Sequence, residues 1–441
     1  MKDYNRKGGA IMNSNEIYVS LDVGTSTIKV IIGELVNDTL NIIGVGNVKS
    51  SGLKRGSIVD IDETVKSIKK AIDQAERMVG IHIDKVIVGV SANQVQLIST
   101  NGVVAVSKEN KEINNEDVLR VMEQAQVISI PPEREIIDVV PHEYIVDGLS
   151  EVKDPRGMIG VRLEMEGTLI TGSRTLVHNI LRCVERAGLE VTDICLQPMA
   201  ASSIALSQDE KNLGVVLVDI GGGSTTISVF REGVLTATSV LPVGGEHVTK
   251  DLSIGLKTST EDAEKIKVKF GHAFYDSALT DEVLSVPIMG SDQHQQYSQI
   301  EVADIIEARL EEIFVMIQNE LVRLRGTNLP GGFVLTGGTV SMTGVLELAQ
   351  KVFKSNVRIA TPDYIGVREP QYTSGVGLIK YAFYKSKMRG KKLGSNLTVE
   401  ATERKPVAVT NSNSKPKPKP KQQEEERVMS KVKSIFKYLW D

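Results

Sequence analysis

Three glycine-rich loops, each closing a run that reads as a β-strand, constrain this chain more than any other feature. The first spans residues 22–29, Asp-Val-Gly-Thr-Ser-Thr-Ile-Lys, after the apolar run 17–21. The second spans 219–226, Asp-Ile-Gly-Gly-Gly-Ser-Thr-Thr, after 215–218. The third spans 336–344 and opens Thr-Gly-Gly after 333–335. One such loop is equally an ordinary hairpin turn. Two strand–Asp–x–Gly–hydroxyl loops far apart, with a Thr-Gly-Gly loop, point to two similar half-domains closing on one nucleotide.

The residue types suit phosphate chemistry. Gly24, Gly221, Gly222, Gly223, Gly337 and Gly338 let backbone N–H groups approach anionic oxygens. Thr25, Ser26, Thr27, Ser224, Thr225 and Thr226 add hydroxyl donors. Lys29 supplies positive charge. Asp22 and Asp219 end their strands, where carboxylates can hold the water shell of a Mg²⁺ ion. The chain has neither a G-x-x-x-x-G-K-[ST] loop nor a G-x-G-x-x-G fingerprint with its acidic partner.

This set of motifs resembles the actin-like ATPase superfamily, and within it the FtsA family of bacterial division proteins, over residues 15–385. Residues 22–29, 218–230 and 332–345 are similar to that fold's two phosphate motifs and its adenosine motif. Residues 198–205 and 374–380 look like its two connecting helices. The resemblance implies an α/β actin-like ATPase fold of two lobes, with an inserted αβ subdomain, a flexible C-terminal linker and an amphipathic helix. It implies ATP with Mg²⁺ as cofactors, and adds Gly245, Glu264 and Lys267 to the nucleotide residues; a plain surface ion pair is the alternative for Glu264 and Lys267. Gln197, just before Pro198, stands where related folds orient the attacking water. A Gln is no strong base, so hydrolysis is expected to be slow at most. The resemblance further implies self-assembly into filaments, recruitment of later division proteins, and binding of the C-terminal peptide of FtsZ to the smaller lobe of the second domain. There residues 306–314 match the family's binding helix and put Arg309 at the peptide's carboxylates. A helix-surface pair of Arg309 with Glu312 or Asp304 competes with that reading.

Composition is ordinary for a globular chain of 441 residues, at 41% hydrophobic and 24% charged. That length calls for more than one domain. A net charge of −4 gives no drive toward nucleic acid. Cys183 and Cys195 lack metal or C-x-x-C spacing and suit buried thiols in a reducing compartment. No apolar run reaches the ~18 residues of a membrane span. The N-terminus has no signal-peptide core; residues 1–14 read as a disordered extension, with Met1 or Met12 as the start.

The chain divides as follows. Residues 15–93, 175–213 and 366–385 form the first domain's core, and 94–174 an inserted αβ subdomain. Residues 214–245 and 316–365 form the second domain's core, and 246–315 its smaller lobe. Helices are expected at 58–78, 115–126, 175–187, 259–269, 300–324 and 372–384. In the helix 300–324 the reading turns Ile305, Ala308, Ile313, Met316 and Leu321 inward. Residues 386–426 read as a disordered linker; their Lys-Pro repeat at 415–421 favours extended polyproline II geometry.

The last fifteen residues, 427–441, carry the second strong signal. Val428, Val432, Ile435, Phe436, Leu439 and Trp440 lie on an arc of roughly 100° at helical spacing. Lys431 and Lys433 flank it or face away, and Trp440 is the only Trp of the chain. This is the pattern of an interfacial helix on an anionic phospholipid membrane, and FtsA proteins end with one. A partner groove is the alternative occupant. Burying six apolar side chains contributes ~10 kcal/mol, and ordering fifteen residues costs about as much. One tail therefore binds weakly, and many tails on a filament bind firmly. The reading is a peripheral, filament-forming tether of FtsZ on the cytoplasmic face of the plasma membrane at the division septum. The alternatives are a pilus-assembly protein of the PilM type and a sugar or glycerol kinase of the same fold. For a kinase no carboxylate base stands out.

Overall fold

The structure, a computed structural model, describes residues 16–390. The expected extension at 1–14, the linker beyond residue 390 and the tail with its apolar stripe lie outside the described residues.

The described residues begin with the meander β1 (Glu16–Val23), β2 (Thr27–Val36) and β3 (Thr39–Lys49). A clip, β4 (Leu53–Lys54) and β5 (Ser57–Ile58), leads to α1 (Ile61–Val79) and β6 (Lys85–Val90). Next come β7 (Gln96–Ala105), α2 (Asn115–Gln124), β8 (Arg134–Val146), β9 (Leu149–Val152) and β10 (Arg162–Ser173). Then follow α3 (Arg174–Arg186), β11 (Glu190–Leu196), α4 (Gln197–Ala205) and α5 (Gln208–Leu213). The second half repeats the opening with β12 (Val215–Ile220), β13 (Thr225–Arg231) and β14 (Val234–Leu241), then α6 (Gly245–Gly255) and α7 (Thr260–Phe270). It continues through β15 (Val283–Pro287), β16 (His294–Ser298), α8 (Gln299–Arg323), β17 (Phe333–Thr336), α9 (Val345–Phe353), β18 (Val357–Ile359) and α10 (Thr373–Arg389).

Two five-stranded sheets share one plan. Their orders are β11-β6-β1-β2-β3 and β14-β13-β12-β17-β18. In each, an antiparallel meander is joined through its first strand to two parallel strands. The central strands are apolar nearly throughout because both faces are covered. Each meander's first hairpin carries a glycine-rich loop at its tip, so the fold delivers both loops to equivalent places.

Between β6 and α3 the sheet β7-β10-β8-β9 packs α2 over its own core of Val121, Met122, Leu163, Met165 and Leu169. Residues 136–140 and 143–146 belong to one strand, β8, whose register against β10 shifts between Glu166 and Gly167. Asn114 caps α2 in a reciprocal box with Asp117. Helix α1 starts at Ile61 under its Asp60 cap, three residues later than the periodicity suggested.

Two expectations need correction. On α8 the buried face is Val302, Ile306, Leu310, Ile313, Phe314, Ile317 and Leu321. Ala308 and Met316 face solvent, and Ile305 is half-buried. The helix has apolar residues all round, so sequence periodicity left its phase ambiguous. Helix α10 also continues past the expected linker start to Arg389, and Lys385 and Arg389 are buried, not solvated.

Candidate functional site

The three glycine loops meet on one cleft of about 420 Å³ between the two sheets. Asp22, Gly24, Thr25, Ser26, Thr27 and Lys29 line it from the first loop. Asp219, Gly221, Gly222, Gly223 and Ser224 line it from the second, Gly337 and Gly338 from the third, and Gln197, Glu264 and Lys267 from the intervening helices.

Two residues read as cleft-lining are set back. Thr225 is fully buried and donates through its hydroxyl to the Val243 carbonyl at 2.8 Å. It shares the core-facing side of β13 with Ile227 and Val229, so pleat alternation gives the cleft Thr226 instead. That phase was readable from the apolar residues at 227 and 229. Gly245 lies behind the wall at the start of α6, where its carbonyl accepts from Lys267 Nζ at 3.2 Å.

At the centre, Asp22 is buried; Lys29 Nζ lies 3.7 Å from its Oδ2, and Gln197 Nε2 donates to its Oδ1 at 2.7 Å. That bond turns the Gln197 carbonyl oxygen away from Asp22, free to accept. Ser374 Oγ donates to Asp219 Oδ2 at 3.2 Å. Burial, and then the Asp22 carboxylate, push the Asp219 carboxyl up to about 6, against the pull of Lys29 and Ser374. Gly337 holds φ +95, and a Cβ there would stand 2.3 Å from Asp219 Oδ1. Only glycine fits both demands.

The loops from the two halves touch. A Cβ on Gly222 would fall 1.7 Å from Ser26 Oγ, and one on Gly223 would fall 2.6 Å from Thr25 Cγ2. Ser26 Oγ donates across the cleft to Glu246 Oε1 at 3.0 Å. Thr25 Oγ1 accepts from the Gly56 N–H at 2.9 Å. Thr339 Oγ1 donates to the Gly221 carbonyl at 2.9 Å and ties the third loop to the second. Lys267 is anchored by Glu264 at 2.7 Å and by the Thr249 hydroxyl at 2.9 Å.

Gly56, Ser91, Thr339, Glu369 and Gln371 also line the cleft and were not picked out in the sequence. Thr339 belongs to the third glycine loop itself; the other four sit outside the three loops, on connections without a local motif. Arg309, by contrast, lies on α8 and not in the cleft. It is engaged by Asp251, with Nη2 donating to Oδ1 at 3.2 Å, and by Glu312. The Glu312 pairing is the helix-surface alternative to a peptide contact; Asp251 was not foreseen.

Three family descriptions match the chain: "Cell division protein FtsA" over residues 216–377, "SHS2 domain inserted in FTSA" over 92–171, and "Cell division protein FtsA, C-terminal" over 380–441. The chain is 62% identical to cell division protein FtsA of Bacillus subtilis over 401 residues, 91% of each protein. The chain belongs to the FtsA family of cell division proteins. It is also 44% identical to FtsA of Enterococcus hirae over 84% of each, and 35% identical to FtsA of Escherichia coli over 83% of this chain and 90% of that one.

Solved structures carry the actin-like fold beyond FtsA. The PilM-PilN type IV pilus biogenesis complex matches with TM-score 0.57 at 17% identity, over 82% of this chain and 98% of that one. MreB5 of Spiroplasma citri bound to ADP matches with TM-score 0.51 at 14% identity, over 85% and 98%. At those identities the likeness speaks for fold alone. FtsA membership replaces the pilus-assembly and sugar-kinase alternatives.

Proposed function

We propose that this FtsA-family protein binds ATP in the cleft, assembles into actin-like filaments on the cytoplasmic face of the plasma membrane, and tethers FtsZ there. The convergence of three glycine loops, two carboxylates and Lys29 on one cleft carries the nucleotide part. Backbone N–H groups and hydroxyls of the first two loops take the phosphates, Lys29 offsets their charge, and Lys267 with Glu264 faces the nucleoside side. Asp22 and Asp219 fit a hydrated Mg²⁺: both carboxylates line the one cleft, with Lys29 beside Asp22. Such an ion, when bound, neutralises phosphate charge. Gln197, its amide nitrogen held by Asp22, offers a carbonyl oxygen to a water near the phosphates. An amide accepts a hydrogen bond but takes no proton, so hydrolysis is slow and ATP acts mainly through cleft closure.

Family membership supports the tether, together with the apolar stripe at 428–440 and its lysines. No helix of the described residues is long and apolar enough to cross a membrane. For FtsZ, Arg309 has to exchange Asp251 or Glu312 for a carboxylate of the peptide. A bidentate arginine contact permits this. Charge reversal at Arg309 would also set like charges against Asp251 and Glu312, so Arg309→Gln is the cleaner variant.

Calorimetry with MgATP and co-sedimentation with acidic vesicles, with and without ATP, test the two parts separately. The expected outcome is ATP binding, and pelleting that ATP strengthens. Absence of ATP binding overturns the nucleotide reading. Equal pelleting of protein truncated after Lys421 overturns the tail as anchor.

A further inference from the structure

Glu246 is the one acidic side chain of α6's first turn, and nothing in the phosphate-loop chemistry calls for it. Its N–H donates to the Gly222 carbonyl at 2.8 Å, which fixes the residue against the second loop. Its carboxylate reaches across to the first loop and accepts the Ser26 hydroxyl at 3.0 Å. A Cβ on Gly222 would lie 3.5 Å from the same carboxylate oxygen. The carboxylate therefore stands where the two phosphate loops approach most closely. It occupies a hydroxyl that would otherwise be free to donate to a phosphate oxygen.

We infer that Glu246 is an internal stand-in for phosphate that sets how tightly the cleft takes a nucleoside polyphosphate. The inference rests on the nucleotide reading of the cleft and deepens it. With no polyphosphate bound, Ser26–Glu246 closes the two halves over each other. An incoming phosphate takes the Ser26 hydroxyl and sets its own negative charge beside the displaced carboxylate. In a site where water is partly excluded, that repulsion opposes binding. The same carboxylate that holds the cleft shut thus keeps the affinity low and reversible.

The test compares MgATP affinity by calorimetry in the full chain, in Glu246→Ala and in Glu246→Gln. Removing the charge is expected to tighten ATP by about ten-fold. Gln, which keeps an acceptor for Ser26 without the charge, should recover only the part of that gain that relief of repulsion supplies. In a Ser26→Ala background the Glu246→Ala substitution should gain markedly less, because the competition for the hydroxyl is gone; this double-mutant comparison is the readout that a merely structural role would not move. Thermal unfolding without nucleotide checks that the variants fold, and if the Ala variant does not, Glu246→Gln decides. Unchanged or weaker ATP affinity in the folded charge-neutral variants overturns the inference while leaving the nucleotide reading intact. An equal gain with and without Ser26 also overturns it. No ATP binding by any of the proteins, wild type included, overturns the nucleotide reading and this inference with it.

Discussion

The end of α10 is held by four buried charges, and removing one should be far costlier than its place near the end of the described chain suggests. Lys385 Nζ lies 3.3 Å from Asp138 on β8 and 2.8 Å from Asp193 on β11, and donates to the Ile194 carbonyl at 2.9 Å. Arg389 Nη2 lies 2.7 Å from Asp138. The Tyr381 hydroxyl donates to Asp138 at 3.5 Å. All four charged side chains are at most 5% exposed. Two cations and two anions balance. Asp138→Asn removes the carboxylate that Lys385 and Arg389 share in the interior. Breaking such a buried set costs about 3–5 kcal/mol. Asp138→Asn with Arg389→Met restores neutrality around the remaining Lys385–Asp193 pair. The double variant should therefore be destabilised by less than the sum of the singles, by roughly 1–3 kcal/mol. Burial lowers the Lys385 pKa, but Asp138 and Asp193 overcome it and raise it above the usual lysine value. Its stabilising contribution is thus present below the unfolded value of about 10.4 and lost as pH rises through the folded one. Equilibrium unfolding in urea at pH 7 and at strongly alkaline pH measures all of this. A single Asp138→Asn effect within about 0.5 kcal/mol of wild type, or strict additivity, would refute the reasoning.

Three further outcomes follow from particular contacts. Gly222→Val should abolish MgATP binding by calorimetry, since its Cβ alone would fall 1.7 Å from Ser26 Oγ. Gly377→Val should destabilise by about 3 kcal/mol or more in urea unfolding, because a Cβ there meets the Ala200 carbonyl at 2.1 Å where α10 crosses α4. Burial raises the Asp117 carboxyl, but the Asn114 N–H, Arg120 and Ser107 outweigh it and hold the pKa below the usual value. Asp117→Asn should therefore cost about 1–3 kcal/mol at pH 7 by urea unfolding, and less as pH falls through the folded pKa and the wild-type group takes up its proton.

The phosphate loops are legible in the sequence because their chemistry is local. A strand, an Asp, a glycine and hydroxyls within eight residues specify backbone geometry and charge without help from the rest of the chain. Helices with one apolar stripe, such as α1, are legible for the same reason; the phase of α8 is not, because residues on several of its faces are apolar and only its neighbours choose among them. Thr225 and Thr226 differ solely by pleat, and the core under Ile227 and Val229 decides between them.

What the sequence by itself determined was the repertoire: two matching phosphate loops, a third glycine loop, an apolar C-terminal stripe, and with them the FtsA resemblance. Tertiary structure alone decided which distant groups meet. Glu246 lies 220 residues from Ser26, and Asp138 lies 251 residues from Arg389. No local pattern marks either pair. Arg389 falls within the residues read as a linker and Lys385 just before it; both become interior because β8 and β11 bring carboxylates to them. Their charges repay desolvation through partners that only the folded chain supplies.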